Sequence, residues 1–276
     1  MLFSVYIRKA MADKEIYKMN FYRLVVFCFT VATISCSKKI NSANLQPYNN
    51  RPSSMDTLVS APSSTDTAFI SPSSTDTSTK TYLALGDSYT IGQSVPEPDR
   101  YPNQTVQILR TEKIKISDPQ IIAITGWTTG NLINALNLSP PQNNYSLVSL
   151  LIGVNNQYRG QSIEEYKTEF TLLVNRSIQY AGNNKSNVFV LSIPDYSVTP
   201  FASNSDKQKI ANEIDSFNAT NKLISDSLRV NYINITPISK EASFAPALIA
   251  NDGLHPSGKQ YKRWAELLAL VMKKAL

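Results

Sequence analysis

His255 is the single histidine of this 276-residue chain, and it stands in Asp252-Gly253-Leu254-His255-Pro256. Imidazole is the side chain best suited to take a hydroxyl proton near neutrality. A carboxylate three residues earlier, Asp252, can bond the other ring nitrogen, fix the tautomer and stabilise the imidazolium. Far upstream, Gly86-Asp87-Ser88-Tyr89 follows the apolar run Tyr82-Leu83-Ala84-Leu85. Ser88 is then a hydroxyl placed just past a strand. Together these residues read as parts of a serine hydrolase, with the nucleophile first and Asp-His last.

The elements that must position them alternate. Short apolar runs at Tyr82–Leu85, Ile121–Ile124, Leu147–Ile152, Val188–Ile193 and Tyr232–Ile235 predict strands. Between them lie helical patterns. Tyr101-Pro102 opens a helix to about Lys113, its proline suiting a first turn. Leu132–Leu136 is a short helix. Ser162-Ile163-Glu164-Glu165 is a capping box ahead of a face formed by Ile163, Tyr166, Phe170, Val174 and Ile178. Ile210, Ile214, Phe217, Ile224 and Leu228 line another helix. Tyr261, Trp264, Leu268, Val271 and Met272 line the last. This alternation predicts a parallel sheet with helices on both faces. Ligands of such sheets collect outside the carboxyl ends of the strands. Ser88, Gly126 and Asn155 all follow strand ends, and His255 precedes the last helix.

Taken singly, these residues have plainer readings: Ser88 as a helix N-cap, Gly126 as a turn residue, Asn155 in an Asx-turn, His255 as a cap. Taken together, Gly86-Asp87-Ser88-Tyr89, Gly126-Trp127-Thr128-Thr129, Gly153-Val154-Asn155-Asn156 and Asp252-x-x-His255 resemble the four signature blocks of SGNH hydrolases, the GDSL esterase family. They occur in the family's order across most of residues 82–260. The resemblance implies a three-layer α/β sandwich of flavodoxin-like type with a central, mainly parallel five-stranded sheet. It implies Ser88 as nucleophile, His255 as base and Asp252 as the acid that orients it. It also implies an oxyanion hole from the backbone N–H groups of Ser88 and Gly126 and the Asn155 side-chain amide. Glycine suits position 126 because a bare backbone approaches a ligand closely. An amide suits position 155 because it donates without titrating. Asp87 is read as a structural group bonding the nucleophile loop.

Other chemistries are poorly served. No Gly-x-Ser-x-Gly elbow surrounds Ser88, which excludes the larger lipase-type α/β-hydrolase pattern. Both cysteines, Cys28 and Cys36, lie near the N-terminus, so residues 81–276 hold no disulfide framework and no thiolate metal site. With one histidine as well, no metal and no cofactor is expected. The net charge of +6 owes much to Arg8, Lys9, Lys14, Lys18 and Arg23 and does not suggest nucleic acid.

The N-terminal residues read as an address. Leu24–Ile34 is an uncharged, mostly apolar stretch between Arg23 and Ser35-Cys36. That suits a signal-peptide core and is short of the about 20 residues a spanning helix needs. Met19 opens a compact version of this segment and is read as the start. Thr33-Ile34-Ser35-Cys36 resembles a bacterial lipobox, with Thr33 where Leu is usual, which implies lipidation of Cys36 and a membrane anchor. Residues 1–36 are thus an export segment of a cell-envelope lipoprotein, with ordinary secretion the alternative. Residues 37–80 carry three Pro-Ser-Ser repeats starting at Pro52, Pro62 and Pro72. Such a composition cannot offset its ordering entropy, and a disordered tether of about 35–40 Å mean reach is expected. Asp-Thr-Leu (56–58) and Asp-Thr-Ala (66–68) resemble acceptors of bacterial O-glycosylation, against the alternative of an unmodified spacer.

The hydrolase domain is therefore expected to span 81–276 and to cleave a small-molecule, glycan or lipid ester through an acyl-serine. Pro194-Asp195-Tyr196 through Phe201 follows a strand and is a candidate cleft wall, with a plain surface loop the alternative. The alternative is a non-catalytic glycan-binding lipoprotein that keeps the fold.

Overall fold

The chain divides into two units, Met1–Ile70 and Ser71–Leu276. The structure, a computed structural model, describes residues 78–276. The export segment, Cys36 and the Pro-Ser-Ser repeats lie outside the described residues. Lys80, the last residue assigned to the tether, is paired through its backbone. Its N–H donates to the Lys115 carbonyl at 2.8 Å, and Ser117 N–H returns a bond at 3.0 Å.

Five parallel strands form one sheet in the order β2-β1-β3-β4-β5. They are β1 (Tyr82–Gly86), β2 (Gln120–Ala123), β3 (Leu147–Leu151), β4 (Val188–Leu191) and β5 (Asn231–Ile233). Every residue of β1, β3 and β4 is buried. Strands covered on both faces need continuous apolar runs, and these three have them apart from Ser149, whose hydroxyl pairs with Tyr82 at 2.7 Å. The edge strands β2 and β5 are only partly covered.

The helices are α1 (Ser88–Ile91), α2 (Tyr101–Thr111), α3 (Thr129–Leu138), α4 (Val154–Tyr158), α5 (Ile163–Tyr180), α6 (Lys207–Leu228), α7 (Thr236–Lys240) and α8 (Gly258–Met272). Helix α2 packs against α8, α3 against α5, and α5 against α6. Tyr101 and Trp264 meet with ring centroids 6.4 Å apart, and Tyr166 lies 5.3 Å from Phe170 and 4.5 Å from Phe217. Such aromatic pairs add to the burial of large apolar side chains. The helices flank the sheet, giving the three-layer α/β sandwich that the resemblance implies.

β2 and β3 end one residue short of their apolar runs, and β4 and β5 end two residues short. Ile193 leaves β4 because Asn218 of α6 takes both its backbone groups, accepting from the N–H at 2.7 Å and donating to the carbonyl at 2.9 Å. Ile235 leaves β5 because Ser192 Oγ accepts from the N–H groups of Ile235 and Thr236, at 2.8 and 3.0 Å. Helix α3 starts at Thr129, earlier than the apolar periodicity from Leu132. Thr128 and Asn131 form a reciprocal cap, with Asn131 Oδ1 accepting from Thr128 N–H at 3.1 Å. At α5 the Ser162 half of the box forms at 3.2 Å, while the Glu165 carboxylate faces Gln161 instead.

Candidate active site

Strand β1 ends in Gly86, where any Cβ would lie 2.1 Å from Thr90 Oγ1 and 2.3 Å from the Leu151 carbonyl. Glycine therefore lets the chain turn at once into α1, whose first residue is Ser88. Asp87 caps this turn: its Oδ1 accepts from Tyr89 N–H at 3.0 Å. Asp87 is buried, and burial pushes its carboxyl up to about 7 against the backbone N–H bonds that favour the anion. It is thus the structural group expected from the sequence.

The other end of the chain brings up His255, itself buried. Its Nδ1 lies 2.6 Å from Asp252 Oδ2. The other carboxylate oxygen accepts from the N–H groups of Leu254 at 2.9 Å and His255 at 3.0 Å. Gly253 completes this tight turn with φ +73°. Partial burial pushes the Asp252 carboxyl up, but bonds from Ser94, the Leu254 N–H and His255 outweigh it and hold the group well below the usual carboxylate range. An ionised Asp252 can only accept, so the ring proton belongs on Nδ1 and the neutral ring keeps a lone pair on Nε2. The Tyr89 ring packs 5.2 Å from the imidazole and limits its tilt.

Two loops converge on the same edge of the sheet. Gly126 sits after β2 with φ +84°, a conformation glycine adopts without strain, and its carbonyl accepts from Arg159 Nη2 at 2.6 Å. Gly153 sits after β3 with φ +130°; a Cβ there would lie 2.6 Å from the Tyr166 hydroxyl. Asn155 follows in α4 and donates its side-chain amide to the Trp127 carbonyl at 3.0 Å. One amide hydrogen is used there, and the group has a second to give. Neighbouring Asn156 is buried and ties α4 to α3, accepting from Thr129 N–H at 3.1 Å and donating to Thr129 Oγ1 at 2.5 Å.

Ser88, Asn155 and His255 line one cleft of about 120 Å³. Asp252 stands behind His255, and Gly126 is joined to the cleft through the Trp127–Asn155 bond. Tyr158, Tyr196 and Phe201 form the aromatic wall, with ring centroids 6.0 to 6.3 Å apart. Tyr196 and Phe201 come from the loop after β4, the segment proposed from the sequence as a cleft wall. Tyr158 and Phe201 remain 60% and 47% exposed, which large apolar rings in a folded chain do not need for packing. Arg159 gave no signal in sequence, because its partner, the Gly126 carbonyl, comes from a separate loop. Among the described residues, no three His, Cys, Asp or Glu side chains gather to hold a metal ion, and no helix is long and apolar enough to cross a membrane.

Comparisons with known proteins bear on the family and the fold. The model of the GDSL-like lipase/acylhydrolase family matches residues 84–263. No curated protein matches the chain. Among solved structures, the psychrotrophic esterase EstA from Pseudoalteromonas sp. is 19% identical with a TM-score of 0.53, covering 71% of this chain and 97% of its own. A putative GDSL-like lipase from Parabacteroides merdae is 18% identical with a TM-score of 0.55, covering 71% and 98%. Axe2, an acetylxylan esterase from Geobacillus stearothermophilus, is 18% identical with a TM-score of 0.54, covering 70% and 94%. These likenesses bear on the fold, and the family model covers most of the sheet, α8 as far as residue 263, and all four sequence blocks. The chain belongs to the GDSL-like lipase/acylhydrolase family of SGNH hydrolases.

Proposed function

We propose that this protein hydrolyses carboxylic esters through an acyl-serine intermediate. Ser88 Oγ attacks the acyl carbonyl carbon while His255 Nε2 takes its proton. The oxyanion that forms is met by the backbone N–H groups of Ser88 and Gly126 and by the Asn155 amide. Collapse breaks the ester C–O bond, and His255 returns the proton to the leaving alcohol. Water then repeats the sequence on the acyl-enzyme and frees the acid. Asp252 remains an anion throughout and holds the imidazole. The observation that carries this reading is the 2.6 Å contact between His255 Nδ1 and Asp252 Oδ2, beside a cleft that Ser88 shares with His255 and Asn155.

The substrate we favour is a short O-acyl ester on a carbohydrate. A cleft of about 120 Å³ suits a small acyl group, and exposed Tyr158 and Phe201 offer flat faces to a sugar ring. The Geobacillus relative is described as acting on acetylxylan. A lysophospholipid or other lipid ester is the competing donor, and an ester panel of acetylated sugars against lengthening acyl chains separates them.

A fluorophosphonate probe tests the chemistry. Peptide mapping is expected to find a single adduct on Ser88 that Ser88→Ala abolishes. Absence of labelling in folded protein, with a glycan still bound, would favour the non-catalytic binding module.

We place the enzyme at the cell envelope, anchored through lipid on Cys36. The support is the apolar Leu24–Ile34 stretch ending at Ser35-Cys36. Mass spectrometry of the mature N-terminus is expected to find a diacylated Cys36. A mature chain that begins elsewhere without lipid would reject the anchor.

A further inference from the structure

The turn after α1 carries an anomaly that the hydrolytic scheme does not use. Ser94 has φ +68°, a left-handed conformation that side chains other than glycine and asparagine rarely adopt. Backbone strain of this kind persists only where surrounding contacts enforce it, and it gathers at functional sites. Here the enforcing contact is specific. Ser94 Oγ donates to Asp252 Oδ2 at 2.6 Å, across 158 residues of sequence. That oxygen is the one that His255 Nδ1 also contacts at 2.6 Å. The same turn holds the other half of the site. Gln93, the neighbouring residue, accepts from Thr125 Oγ1 at 2.7 Å, just before Gly126. Gln93 N–H in turn donates to the Ser88 carbonyl at 3.0 Å.

We infer that Ser94 is a positioning residue for hydrolysis, the outer member of a Ser94–Asp252–His255 chain. The inference rests on the acyl-serine reading above. Physically, a carboxylate with one oxygen bound by two backbone N–H groups can still pivot about that oxygen. The Ser94 hydroxyl fixes the second oxygen, and with it the direction in which Asp252 faces the ring. Among the bonds that hold the Asp252 anion against partial burial, that from Ser94 is the largest.

The test is a double-mutant cycle on the full chain. Ser94→Gly removes the hydroxyl while accepting φ +68° without strain, so the variant should fold with native circular dichroism. We expect kcat for a soluble ester to fall about tenfold with KM changed less than about twofold. In an Asp252→Asn background the same substitution should change kcat by less than about twofold, because its route of action is gone. Ser94→Ala, which keeps the strain, should match Ser94→Gly in kcat. The single histidine gives a direct spectroscopic readout. The Nδ1 proton of His255 should give one downfield resonance in the native protein, and it should shift or broaden in Ser94→Gly. Unchanged kcat with an unchanged resonance would overturn the inference. So would a tenfold loss that persists in the Asp252→Asn background, or a loss confined to KM. Failure of the hydrolase reading looks different, since the native protein would then turn over no ester, or Ser88→Ala would keep the activity, whatever Ser94 does.

Discussion

The side-chain amide of Asn155 donates to the backbone carbonyl of Trp127 at 3.0 Å, which locks the loop after β3 to the loop after β2. Trp127 follows Gly126, so one bond aligns the proposed oxyanion donors with each other. Spending one amide hydrogen on the carbonyl fixes the direction of the second. Preorganised donors of this kind act on the charge that develops in the transition state, not on the bound ester.

Asn155→Ala should therefore lower kcat by about 10²–10³, equivalent to roughly 2.7–4 kcal/mol, with a smaller change in KM. Steady-state kinetics on a chromogenic ester make the separation. A rise in KM alone would make Asn155 a contact to the ground-state substrate.

Asp252→Asn should fold but turn over about 10⁴-fold more slowly, because an amide facing Nδ1 can donate and so favours the wrong tautomer. The pH dependence of stability gives an independent check. Partial burial raises the Asp252 carboxyl, while the bonds from Ser94, Leu254 N–H and His255 lower it by more. A folded-state value below the ordinary one of about 3.9 means that its contribution is present above that pH. It is lost as pH falls through the lower folded value. In acid titration followed by circular dichroism, the native protein should lose an increment of stability that Asp252→Asn lacks. Identical acid profiles would contradict this.

Asp87 has the opposite sign. Burial lifts its carboxyl to about 7, so the native chain keeps a proton that the unfolded chain releases. The stability linked to this proton is complete below about pH 3.9 and is lost as pH rises through 7. Asp87→Asn keeps an oxygen to accept from Tyr89 N–H and cannot ionise. Relative to the native protein it should gain on the order of 1–3 kcal/mol between pH 5 and pH 8 in urea unfolding. Parallel pH profiles for the two proteins would refute the assignment.

Much of the frame is legible in the sequence because burial writes it there. β1, β3 and β4 are apolar runs covered on both faces, and the inner face of α8 repeats at helical spacing. Where strands stop is not legible locally. Asn218 ends β4 from 25 residues away, and Ser192 ends β5 by capturing the backbone 43 residues on. The site divides the same way. Ser88, Asn155 and His255 sit in short motifs after strands or before the last helix, and all three line the cleft. Ser94 carries no motif, because its role depends on a positive φ and a partner 158 residues distant. Asn156 stands beside Asn155 in one sequence block, yet it faces Thr129 and holds α3 in place.

The most direct test of the account is the turnover of purified Ser88→Ala. Ser88 is the residue on which the acyl group would be carried, and loss of such a nucleophile costs on the order of 10⁶ in kcat. The account predicts a folded variant, with native circular dichroism and melting, whose esterase activity falls to background. A folded and uncontaminated variant with near-native kcat would contradict it.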